Sequence, residues 1–457
     1  MSVECRIRAD DLVKLNSQEM IPEAGATHST LTHLEGSLSR RRYEADRLMG
    51  VDPEDGRPLL ARYDLEAAAG RLGPEVVRDR AGLGLWRWHE LLPIRDWSSA
   101  ASLGEGDTPL LRMRRLGRRL GLERLLFKAE SLNPTGSFKA RGMAVAVSRA
   151  VELGARHLVA PSAGNAAGAL AAYAAAAGVE ATVIMPSDAP AANKTEVLVA
   201  GATLLLVDGL ISDCARLAGA LASAVGAFDL STLKEPYRVE GKKTMGFELA
   251  EQTGWSLPDV VVYPTGGGTG LVGMWKAFDE LEVMGMLGSR RPRMVSVQSD
   301  GCAPIARAFR LGHRFAEPWE NAATAAAGMR VPGAVGDFLI LDGIRGSGGT
   351  AISVPEQEIA TMQRAIGAAG GGYASLETSA AVLAASQLRT DGWLDREESV
   401  VVFDTGAGFK SEPPDLELPK PLAADGSDWE PAIAEARRRS QPEPSGPRAP
   451  RGPVRPG

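Results

Sequence analysis

Short apolar runs, separated by longer helical stretches, set the rhythm of the chain after residue 156. The runs are HLVAP (157–161), ATVIMP (181–186), ATLLLVD (202–208), DVVVYPT (259–265), RMVSVQS (293–299) and SVVVFDT (399–405). Between them lie helical segments such as the alanine-rich GNAAGALAAYAAAAG (164–178). Continuous apolar strands that alternate with helices predict an α/β fold of parallel sheets covered on both faces. Ligands of such folds bind outside the carboxyl ends of the strands, so the chemistry is sought in the loops that follow them.

Upstream the pattern is less regular. From Asp64 to Trp97 it turns helical (LEAAAGRL, then GLWRWHELLP), with Pro74 and Pro93 as breakers. Trp86, Trp88 and Trp97 read as packing anchors, and LGEGDTPLLRM (103–113) as a turn-rich entry into the core. Residues 1–30 are mixed and polar. Beyond about Lys410 the composition shifts to Pro, Ser, Gly, Arg and Asp. A short helix over WEPAIAEARRR aside, that stretch buries too little apolar surface to fold and reads as a disordered tail.

Composition changes this picture little. A chain of 457 residues, 44% hydrophobic and 24% charged, has room for two or three domains and a sizeable core. A net charge of −6 without a long basic face argues against nucleic acid as a partner. No apolar run is long enough for a bilayer span, and the first residues, MSVECRIRADDL, have no apolar signal core. Cys5, Cys214 and Cys302 form no local motif, and their odd number fits a reducing compartment. A soluble, cytoplasmic protein is expected.

The candidate chemistry starts at SLNPTGSFKARG (131–142), where Lys139 follows a Pro-Thr-Gly turn and a Ser-Phe pair at the mouth of a helix. A lysine whose site lowers its pKa is a nucleophile toward carbonyls, and a Schiff base to pyridoxal phosphate is its common use. By itself the segment reads equally well as a solvated lysine on a helix cap. Three loops downstream weigh in. SAGNAAG (162–168) opens a helix with free backbone N–H groups suited to a carboxylate, and Asn165 adds an amide that can donate to a phenolate oxygen. GGGTG (266–270) ends a buried strand and starts a helix, which lets backbone wrap a phosphate. Its spacing fits neither the P-loop nor the dinucleotide fingerprint. TGAGF (405–409) puts the Thr405 hydroxyl at a strand end, within the reach of a ring nitrogen.

The order NPTGSFKARG, SAGN, EPYRVEGKKT, GGGTG and DTGAGFK resembles threonine synthase and its relatives among the pyridoxal-phosphate enzymes of fold type II, the tryptophan synthase β-like group. The resemblance implies two parallel-sheet domains in a catalytic core over residues 103–410, the smaller subdomain at about 145–235. It implies pyridoxal 5′-phosphate as cofactor and Lys139 as the catalytic lysine. Phe138, Asn165, Gly266, Gly267, Gly268, Thr269, Gly270 and Thr405 would bind the cofactor, and Ser162, Ala163, Gly164 and Arg238 the substrate. The implied reaction eliminates phosphate from O-phospho-L-homoserine and adds water to give L-threonine. The alternative is β-replacement, or dehydratase or ammonia-lyase chemistry, on an activated or hydroxy amino acid. Departures from the family pattern keep it open: Thr232-Leu233 stands for Asn-Ser, Ala163 and Ala166 stand for threonines, and Ala140 for an aspartate. Lys242 and Lys243 lie near Arg238 in sequence, and Glu377 is kept in LETSAAV (376–382), at the start of a helix. The family also implies a homodimer acting on a small amino acid.

The lead-in over 31–65 resembles the zinc ribbon of some threonine-synthase-like proteins, with Gly36, Ser39, Asp52 and Asp55 at the four knuckle positions. Such a set cannot close a tetrahedral zinc site, so a degenerate ribbon without metal is expected. The remaining expected boundaries are an N-terminal extension (1–30), a helical connector (66–102) and a Pro-rich tail (411–457).

Overall fold

The computed structural model describes residues 29–440 except 412, 415 and 417. The expectations for residues 1–28 and 441–457, Cys5 and the end of the tail among them, lie outside these. The chain divides after Pro413 into two units.

In the first unit, β1 (Leu31–Gly36) pairs antiparallel with both β2 (Arg42–Glu44) and β3 (Leu59–Tyr63). Three of the four knuckle positions converge here. Ser39 Oγ donates to Asp52 Oδ2 at 2.5 Å, and Tyr43 Oη donates to Asp52 Oδ1 at 2.6 Å. A Cβ at Gly36 would collide with both Ser39 Oγ and Asp52 Oδ2, so a hydrogen-bonded knot fills the space between the turns. Asp55 turns away and accepts from the Arg57 N–H.

The chain next lays down β4 (Leu110–Arg112) and β5 (Arg124–Lys128). It leaves to form β6 (His157–Pro161), β7 (Glu180–Pro186), β8 (Thr203–Val207) and β9 (Phe228–Asp229). It returns with β10 (Val260–Pro264), β11 (Arg293–Ser299), β12 (Thr350–Val354) and β13 (Ser399–Phe403). Two sheets result, ordered β12-β11-β10-β13-β5-β4 and β8-β7-β6-β9. All pairs are parallel except β4 with β5, an antiparallel edge that the parallel-sheet expectation lacked. Every residue of β10 and β13 is buried, as strands covered on both faces require.

The tryptophans upstream are packing anchors. Trp88 stacks on Phe247 with ring centroids 4.9 Å apart, and Trp86 meets Trp97 edge-on at 5.5 Å. Pro74, expected to break a helix, instead opens one at Pro74–Asp79, where its missing N–H costs nothing.

Three helices meet behind the carboxyl ends of the large sheet: Lys139–Glu152, Tyr237–Gln252 and Thr269–Val283. Their crossings are set by backbone. A Cβ at Gly241 would strike the Arg141 carbonyl, and one at Gly273 would lie 2.9 Å from the Lys243 N–H nitrogen. A buried ion network locks the first two helices to β5. Arg141 donates to Glu130 (Nε to Oε2, 2.7 Å) and to Glu248 (Nη1 to Oε1, 2.7 Å), while Lys128 Nζ reaches Glu248 Oε2 at 2.9 Å. In the small-sheet region, helix Ala191–Val199 carries Glu196, which accepts from Lys410 Nζ at 2.6 Å.

Among the described residues of the second unit there is one helix, Trp429–Ser440, over the segment where a short helix is expected in the tail. Among the described residues, no helix is long and apolar enough to cross a membrane.

Candidate active site

The loop ahead of Lys139 is stitched to the end of β13. Phe138 N–H donates to the Thr405 carbonyl at 3.1 Å, and Ala407 N–H donates to the Gly136 carbonyl at 2.9 Å. Lys139 thereby starts its helix beside Thr405, which is buried. The Lys139 Nζ lies 4.0 Å from the centroid of the Phe138 ring. Its pKa is pulled from 10.5 down to about 7, first by burial and then by the Arg238 and Lys410 cations, with Glu377 opposing. A lysine so tuned is available as free amine at neutral pH.

Asn165 comes from the other sheet. Helix Asn165–Ala176 starts after β6 with Gly164 as a cap that offers no side-chain bond. A Cβ at Gly406 would lie 3.1 Å from Asn165 Nδ2, so glycine at 406 lets this amide close over the strand end next to Thr405. Ser162, Ala163 and Gly164 form the turn below it. Ser162 N–H is committed to the Ile184 carbonyl, and the Ala163 carbonyl accepts from Asn193 Nδ2 at 3.0 Å.

The cradle is built at the end of β10. Gly268 has φ +75° and caps helix Thr269–Val283 without a side-chain hydrogen bond. A Cβ on Gly266 would collide with the Gly328 carbonyl, one on Gly268 with Ile340 Cδ1, and one on Gly270 with Tyr263 Oη. Only backbone fits, and the helix start aims its uncapped N–H groups into the turn. Glu377 Oε1 accepts from Gly328 N–H at 2.7 Å and so fastens the short turn Ala327–Met329 above Gly266.

Two cations, Arg238 and Lys242, stand beside the cradle. Arg238, 2% exposed, donates through Nη1 to the Leu230 carbonyl (2.8 Å) and to Thr232 Oγ1 (3.1 Å). Its Nε and Nη2 have no hydrogen-bond partner among the described residues. Thr232 Cγ2 would stand 2.7 Å from a Cβ at Gly267, which brings the arginine to the cradle's flank. Lys242, one turn further along, is fully buried and bonds Thr269 Oγ1 at 2.7 Å. Lys243 departs from its expected neighbourhood. It faces the opposite way and pairs with Glu240 (2.6 Å) and Glu280 (2.9 Å) in a separate cluster with Lys276. The signal that separates the two lysines is helical spacing: positions 238 and 242 share a face and 243 leaves it.

Asp404, between β13 and Thr405, went unremarked in the sequence. Burial pushes its carboxyl up to about 6, against hydrogen bonds from Ser131 and Thr378. Its neighbours come from distant segments, so no local pattern announces them. Leu233 is 1% exposed with φ +58°, and its side chain packs toward Gly336.

A lysine amine of lowered pKa, a glycine-rich turn on a helix start with room only for backbone, and a strand-end threonine next to an amide from a second sheet together fit pyridoxal phosphate. The family model "Pyridoxal-phosphate dependent enzyme" matches residues 101–406, and the chain belongs to that family. It is a pyridoxal-phosphate-dependent lyase, and threonine synthases are among its relatives. That of Methanocaldococcus jannaschii is 35% identical over 81% of this chain and 91% of its own, and that of Methanosarcina acetivorans 36% identical over 70% and 79%. Among solved structures, a threonine deaminase from T.th. is 28% identical, covering 67% of this chain and 94% of its own with a TM-score of 0.57. Maize serine racemase, 20% identical over 73% and 94% with a TM-score of 0.57, shares the fold.

Proposed function

We propose that this lyase removes phosphate from O-phospho-L-homoserine and adds water to give L-threonine. The observation that carries the reading is the buried Arg238 guanidinium at the flank of the glycine cradle, its Nε and Nη2 without a partner among the described residues. A buried guanidinium left half-bonded is costly, and a second phosphate beside the coenzyme's own would complete it.

Pyridoxal phosphate, when bound, supplies an electron sink for the bond broken at the substrate's α-carbon. Residues 266–270 would hold its phosphate, Asn165 its ring hydroxyl and Thr405 its ring nitrogen, with Lys139 as the attachment point and Phe138 beside it. The turn of Ser162, Ala163 and Gly164 would receive the substrate carboxylate through the Ser162 hydroxyl and the N–H groups of Ala163 and Gly164, the Ser162 N–H being spent on Ile184. The Lys139 amine, with its pKa lowered to about 7, would be the base that takes the α-proton on Nζ. Arg238 orients the leaving phosphate. A reducing cytoplasm and a homodimer complete the proposal.

The test is phosphate and threonine release from O-phospho-L-homoserine by coenzyme-loaded protein. Lys139→Ala should abolish it, and Arg238→Met should raise KM by about 10- to 100-fold, the worth of a charge-assisted hydrogen bond. Loaded protein that turns over another amino acid and leaves this one untouched would overturn the proposal. One observation favours the alternative, dehydration to a 2-oxo acid: Leu233 fills its position with an apolar side chain that offers a phosphate no donor. A 2-oxo acid formed from threonine or serine would identify that reaction.

A further inference from the structure

We propose that Lys242 is a phosphate-binding residue, its ammonium group pairing with the phosphate monoester held over residues 266–270. The inference rests on the coenzyme reading given above and adds to it a side-chain cation in a cradle otherwise made of backbone. The geometry is specific. Lys242 Nζ stands 2.7 Å from the hydroxyl of Thr269, the first residue of the helix whose N–H groups face the cradle. It also lies 5.1 Å from the Phe138 ring centroid, on the same ring that Lys139 approaches to 4.0 Å. A Cβ at Gly142 would come within 2.8 Å of Lys242 Cε, so the lysine stem runs through a channel that only glycine leaves open.

No carboxylate makes a salt bridge with Lys242 among the described residues, whereas the buried Lys128, Lys243 and Lys276 each have one. Lys243 and Lys276 share Glu240 and Glu280, and Lys128 has Glu248. The groups acting on Lys242 are the Arg238 and Lys139 cations and the Glu235 carboxylate, whose Oε2 accepts from the N–H groups of Tyr237 and Arg238 and whose Oε1 has no hydrogen-bond partner among the described residues. Arg141, on the facing helix, is spent on Glu130 and Glu248. A lysine kept buried between two cations, and desolvated enough to fall well below its ordinary pKa, is a site waiting for an anion that restores its proton.

The phosphate could belong to the coenzyme or to a phosphorylated substrate, and the experiment separates them. Apoprotein of wild type, Lys242→Met and Lys242→Gln is titrated with pyridoxal 5′-phosphate and with pyridoxal, which lacks the phosphate, and binding is read by absorbance. The coenzyme source predicts a loss of about 10- to 100-fold in affinity for the phosphorylated form alone. The wild-type preference for that form should also shrink from pH 7 to 9 while staying flat in the methionine variant; Lys139 titrates for both ligands and cancels from the ratio. The substrate source predicts instead that loaded Lys242→Met loses affinity for inorganic phosphate and keeps its coenzyme. Unchanged binding in both arms, or an equal loss for both ligands, overturns the assignment. Wild type that takes up neither ligand overturns the coenzyme reading itself, a different failure. Unchanged thermal melts in the two variants exclude unfolding as the cause.

Discussion

Lys139 should titrate near neutrality in the apoprotein, and three linked measurements follow from that. An ordinary lysine at 10.5 is neutral in about one molecule in 3,000 at pH 7, whereas at about 7 the neutral fraction is about one half. The same difference corresponds to about 5 kcal/mol at about 1.4 kcal/mol per tenfold, an upper bound on what the folded site forgoes by holding the charged form. Competitive trace acylation between pH 5 and 10, read by peptide mass spectrometry, should show Lys139 reactivity rising through pH 6–7 and level by about 8. Arg238→Met should move that midpoint up, since the guanidinium is the largest charge lowering it, and Glu377→Gln should move it down. Stability follows with a definite sign. Between about 7 and 10.5 the folded chain binds fewer protons at Lys139 than the unfolded chain, so this contribution grows as pH rises across that window. Lys139→Met apoprotein should therefore outlast wild type in urea below pH 7, the gap closing toward pH 10.5. Lys139 labelling that still climbs tenfold per pH unit at pH 9 refutes the reasoning.

Two more predictions rest on geometry. Gly268→Ala forces a left-handed backbone and drives a methyl into Ile340 Cδ1, so it should cost about 1–3 kcal/mol in a melt and reduce coenzyme retention on dialysis. Arg141→Met strands two buried carboxylates and should cost about 3–5 kcal/mol in urea unfolding. Burial alone would raise the Glu248 pKa, but Arg141 and Lys128 hold it below the usual carboxylate range, so wild type loses this stabilisation as pH falls below about 4 and the variant should show a weaker acid dependence.

The strands at the centre of each sheet were legible because burial on both faces writes itself as an unbroken apolar run. β5 (RLLFK) and β12 (TAISV) were not, since charged or small polar residues interrupt them and their partners lie far away in sequence. The lysine loop and the glycine turn could be read because their chemistry is local. Lys242 was legible only as a neighbour of Arg238; its contact with Thr269 needs a helix crossing that no local pattern encodes. Asp404 was hidden for the same reason, as Ser131 and Thr378 reach it from two different segments.

The separation between the Lys139 amine and the glycine turn is set by close backbone contacts, Gly241 against the Arg141 carbonyl and Gly273 against the Lys243 nitrogen. Replacements such as Leu233 or Ala163 can accumulate without disturbing that ruler. A lineage built this way is free to trade one amino-acid substrate for another while its coenzyme chemistry keeps the same span.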